Sequence, residues 1–240
     1  MSTRFQGQAG DSVARNQEFF AGDTYARNAD QLDSHESIRS VLTAELDGSG
    51  AVLDIGNGGV FAYDPSVVES VTAVDLFFDA DSGSDAPANI TFKRGDALSL
   101  TEEPGSFDVV VQAFLYHHLT GVRAADSITN VRRAISEAAR MLKPSGRLVA
   151  AESCIPGWFW GPEKLLYQPL RAMSASRLLG GHPAILQLPL NVLRGLIEEQ
   201  MTIERVVQIP LGRWVTHFGR RWPTALTPVR AHMVVARPRG

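Results

Sequence analysis

Short apolar runs separated by helix-forming stretches set the class of fold. Residues 51–55, 71–75, 107–113 and 147–152 are rich in Val, Leu, Ile or Ala and bounded by turn-forming residues, as buried strands should be, and Ile90 to Arg94 reads as a further strand between the second and fourth. Between 126 and 142, Ile128, Val131, Ile135, Ala138, Ala139 and Leu142 recur at helical spacing and predict a long amphipathic helix, which Lys143-Pro144-Ser145-Gly146 ends. Asp33 and Glu36 have the spacing of a capping box, and Ile38, Val41, Leu42 and Leu46 continue it into a helix over 34–46. A further helix is expected over 190–200, and 203–209 and 232–237 read as two closing strands. Strands alternating with helices predict an α/β chain with a doubly wound, mostly parallel sheet.

At 240 residues and 44% hydrophobic, without an internal repeat or low-complexity tract, the chain reads as one domain, 1–240, with appendages. Residues 1–33 are polar yet contain Phe19, Phe20 and Tyr25, which suggests a segment that packs over the site. Residues 153–188 and 210–229 interrupt the regular rhythm with Trp158, Phe159, Trp160, Trp214, Trp222 and several prolines, so both read as elaborations. The single cysteine, Cys154, permits no intrachain disulfide; the start lacks an apolar leader, and no run approaches the ~18 residues that span a bilayer. These features predict a cytoplasmic chain with no membrane partner. The net charge of −3 divides into −9 over residues 1–150 and +6 over 151–240, too modest an imbalance for a nucleic-acid partner.

The stretch most informative about chemistry is Val52-Leu53-Asp54-Ile55-Gly56-Asn57-Gly58-Gly59. A strand that runs directly into clustered glycines lets backbone approach a ligand closely. Acids end the next two strands, Asp75 after Thr72-Ala73-Val74 and Asp96 after Arg94-Gly95. In open parallel sheets ligands bind beyond the carboxyl ends of the strands, where an acid ending the second strand can accept ribose hydroxyls. Gly56-Asn57-Gly58-Gly59-Val60-Phe61 does not complete the Gly-x-Gly-x-x-Gly of dinucleotide binders, which argues against a nicotinamide oxidoreductase.

In order and spacing, Leu53-Asp54-Ile55-Gly56-Asn57-Gly58, Val74-Asp75, Gly95-Asp96-Ala97, Phe107-Asp108-Val109-Val110 with Tyr116-His117-His118-Leu119, and Met141 to Leu148 resemble the class I S-adenosylmethionine-dependent methyltransferases. The likeness covers about residues 34–152 and the final strands, and is strongest to the small-molecule, quinone-methyltransferase-like branch. It implies a seven-stranded Rossmann-like sheet with an antiparallel last strand, and S-adenosyl-L-methionine as cofactor. By resemblance, Asp54, Gly56, Asn57 and Gly58 face the methionine part, Asp75 with Leu76 holds the ribose, and Asp96 with Ala97 reads the adenine. Gln112 and Ala113 would lie near the methionine group, with Tyr25 closing over the cofactor. The chain departs from the family at Val60, the usual third glycine, and at Tyr63-Asp64-Pro65, where Asp64 as cap and Pro65 at the first helical position leave room for only a short helix.

Methyl transfer from a sulfonium needs alignment and exclusion of water more than a nucleophile or a metal, and no metal-binding pattern stands in the sequence. A hydroxyl acceptor benefits from a base, for which His117, His118 and His217 are candidates, with His182 a competitor. Neighbouring histidines in a helical turn diverge by ~100°, so at most one of the pair should enter the pocket. Trp158, Trp160 and Trp214 are candidate apolar walls, and Arg213, Arg220 and Arg221 candidate partners of an anionic group. The expected acceptor is a small, partly apolar molecule, an anionic group being one option, methylated on oxygen in preference to carbon or nitrogen. A monomer or a homodimer is expected. Non-methylating chemistry on the same fold, such as cyclisation or decarboxylation, and a non-catalytic role stay open.

Overall fold

The apolar runs become the strands of one sheet. The computed structural model describes residues 33–79, 82–83, 86–174, 185–217 and 220–239. In chain order the elements are α1 (Asp33–Leu46), β1 (Ala51–Ile55), β2 (Ser70–Asp75), β3 (Ile90–Arg94), β4 (Phe107–Ala113), α2 (Ala124–Met141), β5 (Leu142–Cys154), α3 (Trp160–Ser174), α4 (Leu190–Glu198), β6 (Met201–Ile209), β7 (Trp214–His217), β8 (Arg220–Pro223) and β9 (Arg230–Pro238). Seven strands pair in the order β3-β2-β1-β4-β5-β9-β6. Strands β1 to β5 pair in parallel, while β9 is antiparallel to both β5 and β6. The chain reverses its direction of travel across the sheet between β1 and β4, and this switch point opens a crevice beyond their carboxyl ends.

Alternate side chains of these strands serve two cores. Leu53, Ile55 and Val110 pack with Ile135 of α2 and Leu193 and Ile197 of α4. Val52, Val109 and Val111 pack with Leu42 and Leu46 of α1 on the other face, together with Tyr63 and Phe78.

Two features depart from the sequence reading, and one, the short Asp64-capped turn between β1 and β2, follows it. Among the described residues, the β1–β2 and β2–β3 connections contain no α-helix. The first holds only a 3-10 turn, Pro65–Val67, capped by Asp64, whose carboxylate accepts the Ser66 N–H at 3.0 Å. Aromatic side chains occupy that face instead: Phe61 meets Tyr63 edge-on at 5.6 Å and Phe92 meets Phe78 at 4.9 Å between centroids. The first departure is that Lys143 to Gly146 does not form a loop but starts β5. Lys143 Nζ donates to both Asp108 carboxylate oxygens at 2.8 Å, and Gly146 lies so close to β4 that a Cβ there would sit 3.0 Å from the Phe107 and Asp108 carbonyl oxygens. The second is that the 210–229 elaboration folds back on itself as the antiparallel ribbon β7–β8, with Val215 opposite Trp222 and His217 opposite Arg220.

Candidate functional site

The turn after β1 is built by its own side chains. Gly56, Gly58 and Gly59 have φ of 76°, 61° and 84°, the left-handed region that residues with a Cβ avoid. The Gly56 N–H bonds the Val74 carbonyl at 2.8 Å, tying the turn to β2. Asn57 bridges it: its Nδ2 donates to Asp54 Oδ2 at 2.7 Å, and its Oδ1 accepts the Gly59 N–H at 3.0 Å. Asp54 is 2% exposed, and burial pushes its carboxyl up to about 7, against the opposing hydrogen bond from Asn57. The fully buried Tyr63 stands beside it, its phenol raised by burial and then by the Asp54 charge.

Asp75 ends β2 under this turn. Its Oδ2 accepts the Gly58 N–H at 2.9 Å and its Oδ1 the Phe77 N–H at 3.0 Å. Burial raises its carboxyl above the usual range, opposed by the N–H groups of Phe77, Gly58 and Leu76. A carboxylate has about four lone-pair sites, and these N–H groups do not fill them, which leaves capacity for a hydroxyl donor. Leu76 is half-exposed beside it. Beyond β3, Asp96 is half-buried, its Oδ1 accepting the Leu98 N–H at 2.9 Å, and Ala97 is buried. A Cβ built on Gly58 would meet nothing within 4 Å, so the turn faces open space there. Small residues, open space and two carboxylates in sequence along the strand ends fit a nucleoside with an attached cationic side chain.

Gln112 is not part of this crevice. It is fully buried, its Nε2 donating to the Ala134 carbonyl of α2 at 3.1 Å and its Oε1 accepting from the Tyr116 hydroxyl at 2.6 Å. Ala113 is half-buried at the end of β4, followed by Phe114 at φ 55°, the one non-glycine at positive φ among the described residues.

The two histidines follow in a 3-10 turn, Tyr116–His118. Their rings do not diverge; the centroids lie 4.0 Å apart at an interplanar angle of 44°. His117 Nδ1 is 2.7 Å from Glu152 Oε1, and the His117 N–H donates to Glu152 Oε2 at 3.3 Å. Glu152, near the end of β5 and 1% exposed, is the residue that sequence reasoning missed. Its signal was an acid closing the apolar run Leu148-Val149-Ala150-Ala151, the same placement as Asp75 on β2. Burial pushes the nearby Cys154 thiol up to about 12, with Glu152 adding to the shift, so it stays protonated near neutral pH.

The elaboration after β5 stands over this end of the sheet. The Tyr167 hydroxyl of α3 donates to the Gly121 carbonyl at 2.7 Å, and the Leu186 N–H bonds the His117 carbonyl at 3.1 Å. Trp158 is 73% exposed, and Trp160 is half-buried under the Lys164 ammonium. Arg213 and Trp214, at the start of the ribbon, are exposed. Ribbon strand β7 lies against α1, on the other face of the sheet from Glu152. His217, Arg220, Arg221 and Trp222 lie on β7 and β8, with side chains outside the described set. Tyr25 and His182 lie outside the described residues.

Residues 53–150 match a family model described as a methyltransferase domain. The uncharacterized methyltransferase YcgJ of Bacillus subtilis (strain 168) is 30% identical over 127 residues, 48% of this chain and 46% of YcgJ, so the aligned region spans about half of that relative. Its crystal structure superposes with a TM-score of 0.57 at 18% identity, covering 86% of this chain and 99% of that one. The N-methyltransferase NodS from Bradyrhizobium japonicum WM9, in complex with S-adenosyl-L-homocysteine, gives a TM-score of 0.53 at 17% identity over 86% of each chain. The cyclase SpnF gives 0.53 at 15% identity, over 84% of this chain and 80% of that one. At such identities the structures share the fold.

Proposed function

With residues 53–150 forming a methyltransferase domain of the class I, S-adenosylmethionine-dependent type, we propose that the chain transfers a methyl group from S-adenosyl-L-methionine to oxygen of a small, partly apolar acceptor. The observation that carries this is Asp75, a buried carboxylate at the carboxyl end of β2 beside the switch point, held by backbone N–H groups with a lone pair to spare. S-Adenosylmethionine, when bound, supplies a methyl group already activated on sulfur. Asp75 would accept a ribose hydroxyl with Leu76 against the sugar, Asp96 the adenine amine, and Ala97 would leave room for the ring. Asp54, Gly56, Asn57 and Gly58 would shape the turn against the methionine end.

What the protein must add is alignment, exclusion of water and a place for the acceptor's proton. His117 and His118 stand at the same strand ends as the glycine turn. Trp158 and Trp160 on one side, and Trp214 with Arg213, Arg220 and Arg221 on the other, would flank the acceptor, the arginines taking an anionic group where it has one.

Calorimetric titration with S-adenosylhomocysteine tests the cofactor site, and a panel of phenols, alcohols and carboxylic acids with methyl-labelled S-adenosylmethionine tests the transfer. Binding that survives Asp75→Ala would sink the assignment. A second reading rests on Val60, 45% exposed where the family places a glycine, with no helix behind it. There the cofactor would be structural and the chemistry non-methylating, as the name of SpnF shows the fold can host; substrate conversion without S-adenosylhomocysteine would favour it.

A further inference from the structure

Glu152 is a carboxylate placed where apolar residues would cost less. It is 1% exposed and lies two residues before the end of β5, whose inward neighbours Leu148, Ala150 and Cys154 are apolar core. A buried carboxylate is retained only when its lone pairs are satisfied. Three donors do this: the Ser153 N–H on Oε1 at 2.7 Å, the His117 N–H on Oε2 at 3.3 Å, and His117 Nδ1 on Oε1 at 2.7 Å. Two of the three come from one residue, so the carboxylate grips both the backbone and the ring of His117.

We infer that Glu152 is the positioning residue that makes His117, and not His118, the proton acceptor of this site, and that the methyl acceptor is a neutral hydroxyl, an alcohol or a phenol. This rests on the methyl-transfer reading above. An ionised carboxylate only accepts, so the neutral His117 ring carries its proton on Nδ1 and presents the lone pair of Nε2. The ring is 14% exposed, held inside the fold on its Nδ1 side. The His118 ring lies beside it, with centroids 4.0 Å apart, while the carboxylate holds the ring of His117.

The step balances on these groups. The acceptor's O–H proton moves to His117 Nε2, its oxygen forms the new bond to the methyl carbon, and the electron pair of the broken carbon–sulfur bond stays on sulfur, leaving the thioether. The imidazolium so formed is neutralised by Glu152 and returns its proton to solvent. An acceptor oxygen already ionised at neutral pH, as in a carboxylic acid, would give this pair nothing to do.

The test is the tautomer of His117, read by nitrogen NMR of the full chain labelled with 15N-histidine, with His117→Gln assigning the signal. In the unsubstituted protein, above the pH at which the ring becomes neutral, a single Nδ1–H tautomer is expected. Glu152→Gln should turn it into a mixture of tautomers while S-adenosylhomocysteine affinity changes less than threefold. An Nε2–H or mixed tautomer in the unsubstituted protein overturns the inference whether or not the variant folds, and so does a tautomer indifferent to Glu152→Gln. Absence of S-adenosylhomocysteine binding in the same samples would instead overturn the methyl-transfer reading, leaving the tautomer result to stand as a separate fact.

Discussion

Asp54 and Asp75 are both buried acids one strand apart, yet they answer to different partners. Asp75 meets two backbone N–H groups and faces the crevice; Asp54 meets the amide of Asn57 beneath the turn. Hydrogen bonds to a charged group are worth about 1.5–3 kcal/mol, so Asp75→Asn should weaken S-adenosylhomocysteine binding by roughly 10- to 100-fold in a calorimetric titration. Unchanged affinity would remove the ribose-holding role.

Asp54 predicts a pH dependence of stability. Its carboxyl moves from the ordinary 3.8 to about 7 in the folded chain, mainly through burial. The folded state therefore holds the proton more tightly than the unfolded one, and stability falls as pH rises between these values. The contribution is fully present below the unfolded value and lost as pH passes the folded one. Asp54→Asn keeps an oxygen for Asn57 but cannot ionise. Its melting temperature should exceed that of the parent at pH 8 by more than at pH 5, and parallel profiles would show that Asp54 does not titrate as its burial requires.

At the scale of elements, the glycine turn separates folding from binding. Both Gly56 and Gly58 have positive φ, which costs a residue with a Cβ about 1–2 kcal/mol. A Cβ on Gly56 would also lie 2.5 Å from Leu115 Cδ1, whereas one on Gly58 meets open space. Urea denaturation should show Gly56→Ala as the more destabilising, while Gly58→Ala should lose more S-adenosylhomocysteine affinity per unit of stability lost. The turn itself was legible because glycines after a strand have few other uses, and the Asp64–Pro65 stop was legible from cap chemistry. Gln112 was not. Strand β4 is covered on both faces, so its side chains are buried without alternation, and nothing local says which face Gln112 joins. Glu152 was half-legible: its position at a strand end could be read, but its partner His117 is 35 residues away and is brought to it by the pairing of β4 with β5.

At the scale of the whole molecule, the strands at 203–209 and 232–237 could be read, but not that β9 inserts between β5 and β6, since sheet order is set by contacts far apart in sequence. The charge division of the sequence acquires a partial structural meaning in the same way. Arg205 of the basic final part pairs with Glu45 of the acidic part, and Arg132 with Glu199 in the reverse sense at 2.6 Å, so some of the imbalance is spent holding the two parts together rather than on a ligand. The Arg132–Glu199 pair is half-exposed on both sides and contributes about 0–1 kcal/mol, so its loss would not unfold the chain.

Cofactor binding should act on the molecule more strongly than any of these pairs, because the crevice is assembled from four strands. The turn after β1, Asp75 after β2, Asp96 after β3 and the histidines after β4 come together only when the sheet is closed. The unfolded chain has no such site, so binding stabilises the folded state alone. At a hundred times its dissociation constant, S-adenosylhomocysteine should contribute about 2.7 kcal/mol. For a chain of this size that is a rise in melting temperature of about 5–10 °C. The rise should grow with the logarithm of ligand concentration and be lost in Asp75→Asn while that variant still melts cooperatively. NAD should leave the melting temperature unmoved, since Phe61 stands where the dinucleotide pattern Gly-x-Gly-x-x-Gly requires its third glycine. An equal rise with both ligands would mean that the crevice recognises adenosine without its methionine end, and would count against Asp54, Asn57 and the glycines as its methionine side.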